Sequence, residues 1–561
     1  MPPILHRLPI PSFRMRARLR LSSFGVASAI LLVLVALTSG GCSKRETPVE
    51  AGLRTHTLHM AISAEPRDLD PHILVAYNDM TVCLALFEGL VAVDETTSRL
   101  EPACAERWQT SSDGTTWTFF LHKGMTWSDG HPLTADDFVH SFRRALSPRL
   151  ASEYAYVLFP IKGAEAYNSG KNPDASSLGV RALDNDTLEI TLTAPTPTLL
   201  AILALPVSFP VPRHVIERLG GIDDRANRWT RPGNIVSNGP FRVQEWTPNK
   251  RIVTVRNPNF RDNASTRLSS VIFYPYESAT AQETAFRAGQ IHLTSEIPIS
   301  KIASYRNGPE ASSLRLDPFL ETGFFRFNVD RGPLKDARVR SALARALDRR
   351  TLVDRVALAG QQPAHSLTPP NTAGYTAEAG ILDDFDAARR LLAEAGFPGG
   401  RNFPTLEIMS FTNELNQRLM EAIQQMWKRE LGVNVTLAMK EQRVWLDDER
   451  ERNYAISCAR WIGDYVDPST FLDMFLSNSG NNATGWSNPD YDRLVRSAAS
   501  ETDGARRYTM FQEAEAILLR EAPIAPLYHG TRPYLIHPAV KGWEPALLGF
   551  HRYQRVSLQP H

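Results

Sequence analysis

A strand, a helix and a second strand follow one another in the C-terminal half, and this unit constrains the fold more than any other feature. The strands are the β-rich stretches 405–410 and 433–437, and between them Glu414–Leu431 repeats apolar side chains at helical spacing. One face of that helix carries Leu419, Ile423, Met426 and Trp427. Because parallel strands need such a crossover, the unit predicts a parallel strand pair with a helix packed on the sheet.

The rest of the chain alternates between the same two patterns. Further strands are predicted at 57–62, 117–121, 187–192, 251–256, 271–276 and 324–328. Further helices are predicted at 135–146, 281–288, 337–347, 386–395 and 505–520. The helix from 135 opens with a capping box, in which the Thr134 hydroxyl and the Asp137 carboxylate satisfy free N–H groups of the first turn. With 561 residues, these patterns predict a mixed α/β protein of several lobes.

The first 42 residues are typical of an export signal. Five arginines precede a 14-residue apolar run at 24–37, which is shorter than the ~20 residues that span a bilayer. The end of this segment, Ser39-Gly40-Gly41-Cys42, is similar to the bacterial lipobox, although Ser39 stands where leucine is usual. We expect export and lipidation of Cys42, which would anchor the protein to a membrane, with plain cleavage near the same site as the alternative. The polar residues 43–53 predict a short tether.

Charge and cysteine content bear on the possible partners. Without residues 1–42 the chain has 57 basic and 61 acidic residues, a balance of −4 that gives no reason to expect nucleic-acid binding. Three cysteines remain after Cys42, so at most one disulfide can form, and Cys83 with Cys104 would be the pair. We favour the other interpretation, in which Cys83, Cys104 and Cys458 are all buried thiols. No His/Cys cluster has metal-ligand spacing, and we expect neither a metal nor a cofactor.

Enzyme motifs are missing from the sequence. There is no G-x-S-x-G, H-E-x-x-H, P-loop or dinucleotide-binding glycine fingerprint, and no catalytic residue is assigned. An exported hydrolase stays open as the alternative from another class, because catalytic groups can be scattered in sequence.

Several short motifs carry a resemblance to a known family. They are DLDPH at 68–72, LFEGL at 86–90, WTF at 117–119, KGMTWSDG at 123–130, PGNIVSNGPF at 232–241, DARVR at 336–340, and WIGDY at 461–465 followed by Asp467-Pro468. In order and spacing, from about residue 57 to the C-terminus, the chain resembles the oligopeptide-binding proteins of bacterial peptide ABC importers, extracellular solute-binding family 5. The Gly, Pro, Asn and Asp residues of DLDPH, SNGP and DG are interpreted as setting turns, not as performing chemistry.

The resemblance implies a two-lobed periplasmic-binding-protein clamp (class II, cluster C type) with an extra domain, built from mixed β-sheets flanked by helices. It implies an oligopeptide ligand, enclosed between the lobes by hinge motion and passed to the permease subunits of an ABC transporter. We expect a monomer in the periplasm or another extracytoplasmic space, since one clamp needs no symmetry partner. The predicted segments are 1–42 for the signal peptide, 43–53 for the tether, 54–88, 206–320 and 531–561 for lobe I, 89–205 for extra domain II, and 321–530 for lobe III.

Asp464 is the central candidate for ligand binding. By resemblance it pairs with the amino terminus of the peptide, and an enclosed ammonium needs a carboxylate because an unpaired buried charge is costly. A capping or salt-bridge role is the alternative, since Asp467 and Asp473 lie nearby. By the same resemblance, a segment offers main-chain groups to the peptide in the manner of an added strand, namely Cys458, Ala459, Arg460, Trp461, Ile462 and Gly463. Pocket walls are predicted at Trp461, Trp445, Tyr77 and Tyr154, with core packing as the alternative for each.

The positions around the carboxyl end of the ligand depart from the family's pattern. Positions that are charged in typical members carry Val75, Ala357, Asn416, Glu449 and Cys458 here. Arg326 stands at a glutamate position, and Glu321 and Ile462 replace a cysteine pair known in the family. We therefore hypothesise either that Arg326 or Arg460 reads the far end of the ligand, or that the ligand lacks a free α-carboxylate there. A related amine-bearing ligand, such as a cell-wall peptide, is the alternative to an ordinary oligopeptide.

Overall fold

The computed structural model describes residues 46–559. The predicted signal segment, with Cys42, lies outside the described residues. The strands are β1 (Thr57–Ile62), β2 (Val91–Val93), β3 (Leu100–Pro102), β4 (Ala105–Thr110), β5 (Thr116–Leu121), β6 (Val180–Asp184), β7 (Thr187–Thr191), β8 (Phe241–Thr247), β9 (Arg251–Arg256), β10 (Ser270–Pro275), β11 (Leu314–Phe327), β12 (Gln362–Pro363), β13 (Leu406–Phe411), β14 (Val435–Lys440), β15 (Ile456–Ile462), β16 (Ile524–Leu535), β17 (Val540–Lys541) and β18 (Ser557–Leu558).

Helices of eight or more residues flank these strands. They are α1 (Pro48–Thr55), α2 (Tyr77–Leu86), α3 (Ala135–Ala145), α4 (Ala279–Arg287), α5 (Ile299–Asn307), α6 (Ala337–Arg345), α7 (Phe385–Glu394), α8 (Glu414–Leu431), α9 (Gln442–Arg450), α10 (Pro489–Ser500) and α11 (Gly504–Glu521). Over residues 46–559, no helix has the length and apolar character needed to span a membrane.

Three sheets in residues 46–559 have four or more strands. A four-stranded sheet has the order β1-β10-β9-β8, with β1 parallel to β10 and the other pairs antiparallel. A six-stranded mixed sheet has the order β12-β16-β11-β15-β13-β14, and an antiparallel sheet of order β4-β5-β7-β6 stands apart from both. The predicted mixed α/β architecture is therefore confirmed.

The strand–helix–strand unit is also confirmed. β13 and β14 are parallel and are joined by α8. The helix begins where the Asn413 side chain accepts the N–H of Asn416 at 3.1 Å, and it ends at Gly432, which adopts a left-handed conformation with φ of 69°. Trp427 donates its indole N–H to the Leu343 carbonyl at 3.0 Å, which fixes the apolar face of α8.

Other local predictions are confirmed to within a few residues. The capping box opens α3, since the Thr134 N–H donates to the Asp137 carboxylate at 2.9 Å. The strand predicted at 324–328 is only the end of the 14-residue β11. Hydrogen bonding to β16 along most of this length extends the strand through residues that are less apolar. The three described cysteines are buried free thiols, as favoured above.

The tether predicted at 43–53 is wrong for its second half. Pro48 begins α1, where proline is tolerated because the first N–H of a helix needs no partner in the helix. Val49 is buried and donates its N–H to the Gly289 carbonyl at 3.0 Å, and Leu53 packs against the main apolar cluster. These contacts place residues 48–55 in the folded body.

The long strand β16 contributes to separate apolar clusters. One core gathers side chains from residues 58–293 and 534–558, whereas two further clusters lie on the six-stranded sheet and draw mainly on residues 320–527. β16 contributes Tyr534 to the first core and Leu527 to one of the other two. Its pairing register with β11 shifts between Pro318 and Thr322.

Candidate functional site

The end of β15 has a free hydrogen-bonding side. β15 pairs with β11 over all of its residues, but it pairs with β13 only at Ile456 and Ser457. Within residues 46–559, the main chain of β15 therefore has a strand partner on one side only from Ala459 onward. A strand with one open side is a template for an extended chain.

Asp464 follows this open segment and is held in a defined position. Its backbone N–H donates to the Thr470 hydroxyl at 3.0 Å, and the Thr470 carbonyl accepts the indole N–H of Trp461 at 2.7 Å. At Gly463 a Cβ would lie 2.5 Å from the Leu320 side chain, so the turn that carries Asp464 packs too closely for a larger residue. The carboxylate is thereby positioned by its neighbours along the chain.

The Asp464 carboxylate has hydroxyl partners but no cation. Tyr154 donates to it at 3.1 Å, and burial raises its pKa, with hydrogen bonds from Tyr154 and Tyr156 offsetting part of the rise. In the described part of the chain, no arginine, lysine or histidine forms a salt bridge with Asp464. The neighbouring Asp467 does form one, with Arg507 at 2.7 Å. The salt-bridge role considered above thus falls to Asp467, and Asp464 has no cationic partner among residues 46–559.

Two cavities meet at Asp464. The smaller, about 210 Å³, is lined by Ile462 and Gly463 on one side and by residues 71–80, Tyr154 and 205–207 on the other. The larger cavity has a volume of about 1030 Å³. Residues between Trp461 and Asp473 line one side of it, and residues of the segments 156–160 and 193–198 line the other. Asp464 lines both cavities. The smaller one is also lined by Leu548 and Phe550, from near the C-terminus.

Five of the residues singled out from the sequence line these cavities together with Asp464, and they are Trp461, Ile462, Gly463, Tyr77 and Tyr154. Tyr77 donates its hydroxyl to the Gly549 carbonyl, and its ring stacks on Phe550 at 5.4 Å. Tyr154 reaches Asp464 from the segment predicted as the extra domain.

Val75, one of the positions that depart from the family's pattern, also lines the smaller cavity, whereas the remaining predicted ligand-binding residues line neither. Arg326 is buried and forms an ion pair with Glu449 at 2.9 Å, so its charge is already matched. Trp445 is a core residue, because its indole N–H donates to the Ser457 hydroxyl at 2.9 Å and only 7% of it is exposed. Neither side chain forms part of the wall of these two cavities.

The side chains of β15 near its open side differ in how far they are exposed. Cys458 and Ala459 are buried, and burial raises the pKa of the Cys458 thiol to about 12. Arg460 is partly exposed, but its guanidinium lies 3.9 Å from Glu321 and its charge stabilises that carboxylate. Glu321 and Ile462 are direct cross-strand partners. The Cys458 and Ala459 side chains are thus enclosed in the protein, whereas 45% of the Arg460 side chain is exposed.

Asp473 is a cavity residue whose significance the sequence did not indicate. It lines the larger cavity, and none of residues 46–559 is seen to form a salt bridge with it. Its pKa is raised to about 7, first by burial and then by the charge of Asp467, which Arg507 offsets only in part. Its position in the chain gave no signal, because several acids follow the WIGDY motif and only the fold distinguishes them.

Replacing Asp473 with asparagine is expected to stabilise the ligand-free protein in a pH-dependent manner. Because its pKa is higher in the folded state than in the unfolded state, the ionised carboxylate lowers stability above pH ~7, and this penalty declines as the pH falls toward ~4. Thermal unfolding of D473N and of wild type should therefore differ most at pH ~8 and converge near pH ~4. A gain in Tm that is the same at both pH values, or no gain, would contradict this assignment.

These features are typical of a binding protein that encloses its ligand. They are separate apolar cores, two cavities that share Asp464, a strand with one open side and a carboxylate without a cationic partner. The comparisons with known proteins agree. The family model for bacterial extracellular solute-binding proteins, family 5 middle, matches residues 99–483. The chain is 34% identical over 531 residues to the periplasmic oligopeptide-binding protein OppA of Salmonella typhimurium, covering 92% of this chain and 95% of that protein.

Solved structures extend the same relationship to the fold. The Escherichia coli murein tripeptide binding protein MppA superposes with a TM-score of 0.78 at 34% identity, covering 90% of this chain and 99% of that one. Haemophilus influenzae OppA in complex with the peptide RPPGFSPFR gives a TM-score of 0.74 at 29% identity, with 90% and 99% covered. The protein therefore belongs to the bacterial extracellular solute-binding proteins of family 5, and its fold is their two-lobed clamp.

Proposed function

We propose that this protein is an extracytoplasmic receptor that captures oligopeptides between its two lobes and delivers them to the permease of an ABC importer. It acts as a binder and not as an enzyme, and it is tethered as a monomer through a lipid on Cys42. The observation that carries the proposal is the unmatched Asp464 carboxylate at the junction of the two cavities, because it supplies the counter-charge that a peptide's ammonium group needs. The names of the relatives, oligopeptide-binding and murein tripeptide binding, support the ligand class.

The lobes of the proposed clamp follow the segments expected from the sequence. Lobe I comprises 54–88, 206–320 and 531–561, the extra domain comprises 89–205, and lobe III comprises 321–530. The separate apolar cores and the register shift in the β11–β16 pair support a hinge near residues 318–322. Hinge closure would bring both walls of the cavities onto the ligand.

The peptide backbone would be read by β15. After Cys458 this strand has no strand partner among residues 46–559 on the side where β13 ends, so a peptide can add there as a further strand. Main-chain hydrogen bonds do not depend on the ligand's side chains, whereas the cavity walls, which include Trp461, Tyr77 and Tyr154, would contact them. This arrangement suits a receptor for peptides of varied sequence.

The carboxyl end of the peptide would not be read by a dedicated cation. Arg326 is matched by Glu449 at 2.9 Å, and Arg460 has Glu321 at 3.9 Å. Of the two hypotheses drawn from the sequence, these pairs support the one in which a free α-carboxylate is not required.

Blocking each end of one peptide tests this asymmetry. We expect N-acetylation of a tripeptide to weaken binding by about 30-fold or more, because the acetylated nitrogen carries no charge to pair with Asp464. Amidation of the C-terminus should change the affinity by less than about fivefold, as for an exposed charge without a fixed partner. Isothermal titration calorimetry of the three peptides measures both effects. Equal binding of the free and acetylated peptides would refute the amine anchor, and a large loss on amidation would refute the free carboxyl end.

A cell-wall peptide is the second candidate ligand. Asp473 places a second carboxyl group in the larger cavity, which suits ligands that carry more than one positive group, and the likeness to MppA points the same way. Mass spectrometry of ligands that co-purify with the protein would separate this candidate from ordinary oligopeptides. Incubated peptide should be returned intact, which distinguishes a receptor from an exported hydrolase.

A further inference from the structure

Two histidines and an aspartate converge on the surface of the protein, away from both cavities. The three residues are Asp129, His131 and His214, and their ligand atoms all lie within 4.8 Å of one another. None of the three lines the cavities around Asp464. The peptide-binding proposal therefore assigns them no role.

A tight turn fixes two of the three side chains. Thr126 and Pro132 form an isolated bridge, and the Trp127 N–H donates to the His131 carbonyl at 2.8 Å. Gly130 has a φ of 91°, which the turn requires and which glycine adopts without strain. Trp127 is fully buried and anchors the turn to the core, so Asp129 and His131 leave the surface from a rigid base.

The third side chain comes from a segment more than eighty residues later. His214 is the second residue of the short helix Arg213–Leu219, and the buried Val215 and Ile216 hold that helix against the core. Its Nε2 lies 2.7 Å from Asp129 Oδ2. The site is therefore assembled by the fold and not by sequence proximity alone.

The geometry around the shared oxygen suits a metal ion. His131 Nδ1 lies 3.3 Å from Asp129 Oδ2, and the two imidazole rings stack at 4.1 Å, so both nitrogens approach the same oxygen. Zinc binds imidazole and carboxylate at ~2.0–2.2 Å, and tetrahedral ligands then lie ~3.3 Å apart. The His131 distance already has this value, and the His214 distance would need to open by ~0.6 Å as the ion replaces the hydrogen-bonded proton.

The turn orients the Asp129 carboxylate. Asp129 Oδ1 accepts the His131 backbone N–H at 3.1 Å, which orients Oδ2 toward the two rings. About a third of the Asp129 side chain and 60% of the His131 side chain are exposed, so an ion can enter from solvent.

We propose that Asp129, His131 and His214 form a surface site for a divalent transition-metal ion of the zinc class. Two nitrogen ligands and one oxygen ligand favour zinc, nickel or copper over magnesium and calcium, which prefer oxygen ligands alone. Three protein ligands leave a fourth position for water or for a group of another molecule. The site is independent of the peptide-binding cavities.

Calorimetric titration with zinc chloride tests the site, on untagged full-length protein freed of metal with a chelator. We expect one zinc per chain, no binding of magnesium, and a rise in Tm with zinc. H214A and D129N should each weaken zinc binding by at least about tenfold, whereas H122A, which removes a histidine outside the cluster, should not. Because imidazole must lose its proton to bind a metal, binding should weaken at acid pH.

The Tm of H214A and of D129N without zinc should match that of wild type within a few degrees, which checks that both variants are folded. A wild-type protein that takes up no zinc, or variants that bind zinc as tightly as wild type does, would overturn the proposal and leave the cluster as a carboxylate–imidazole salt bridge. Peptide affinity measured with and without zinc should be the same, so a failure here does not bear on the amine anchor.

Discussion

D464N is expected to weaken the binding of a free-amine tripeptide by about 30-fold to several-thousand-fold, a loss of ~2–5 kcal/mol. The substitution keeps the size of the side chain but removes its charge, so the enclosed ammonium of the peptide loses its counter-charge. In the free protein Tyr154 and Tyr156 are the hydrogen-bonding partners of this carboxylate, and neither carries a charge that could take its place.

A matched variant separates this effect from a general loss of charge. Asp386 is 82% exposed and pairs with Arg389 on the surface, so D386N should bind peptide as wild type does. The N-acetylated peptide should bind D464N and wild type almost equally, because it has no ammonium for either protein to neutralise. Should D464N hold the free-amine peptide within a few-fold of wild type, the amine anchor lies elsewhere.

The second large effect is on stability. R144M is expected to lower the free energy of unfolding by ~3–5 kcal/mol, because it leaves the Asp70 carboxylate buried without its counter-charge. Arg144 is 1% exposed and donates to Asp70 at 2.9 Å and to the Ile222 carbonyl at 2.8 Å. Burial raises the pKa of Asp70, and the charge and hydrogen bonds of Arg144 outweigh it and lower the pKa. Asp70 lies in the DLDPH motif, whose structural interpretation this pair supports.

Denaturant unfolding followed by tryptophan fluorescence measures the loss. The double variant D70N/R144M should recover part of it, since removing both charges leaves no unpaired ion in the core. R493M, which breaks the exposed pair of Arg493 with Asp490, should shift the unfolding midpoint little. A single variant R144M with the stability of wild type would show that the buried pair contributes nothing.

Local signals made much of the fold predictable. Asn413 and Gly432 bound α8, and Thr134 with Asp137 opens α3, because these residues satisfy the backbone groups at helix ends through short-range contacts. The predicted tether was wrong at α1 because a contact between distant parts of the chain decides the structure there. Pro48 suggests a break in a polar stretch, but the burial of Val49 depends on Gly289, which is 240 residues away in sequence.

Sequence patterns pointed to a site residue only where it lies in a recognisable motif. Asp464 was found through WIGDY, and its lack of a cation became visible only when Asp467 proved to hold Arg507. The Arg326–Glu449 pair joins residues 123 positions apart, so nothing in the sequence indicated that Arg326 is already neutralised. Distant ion pairs decide which charges remain for a ligand, and local patterns do not reveal them.

A crystal structure of the protein with a bound tripeptide tests the amine anchor most directly. We expect closed lobes, the peptide backbone paired with β15 after Cys458, and the ligand's ammonium nitrogen about 2.7–2.9 Å from an Asp464 oxygen. A peptide whose amine points away from Asp464, with that carboxylate turned into solvent, would contradict the amine anchor.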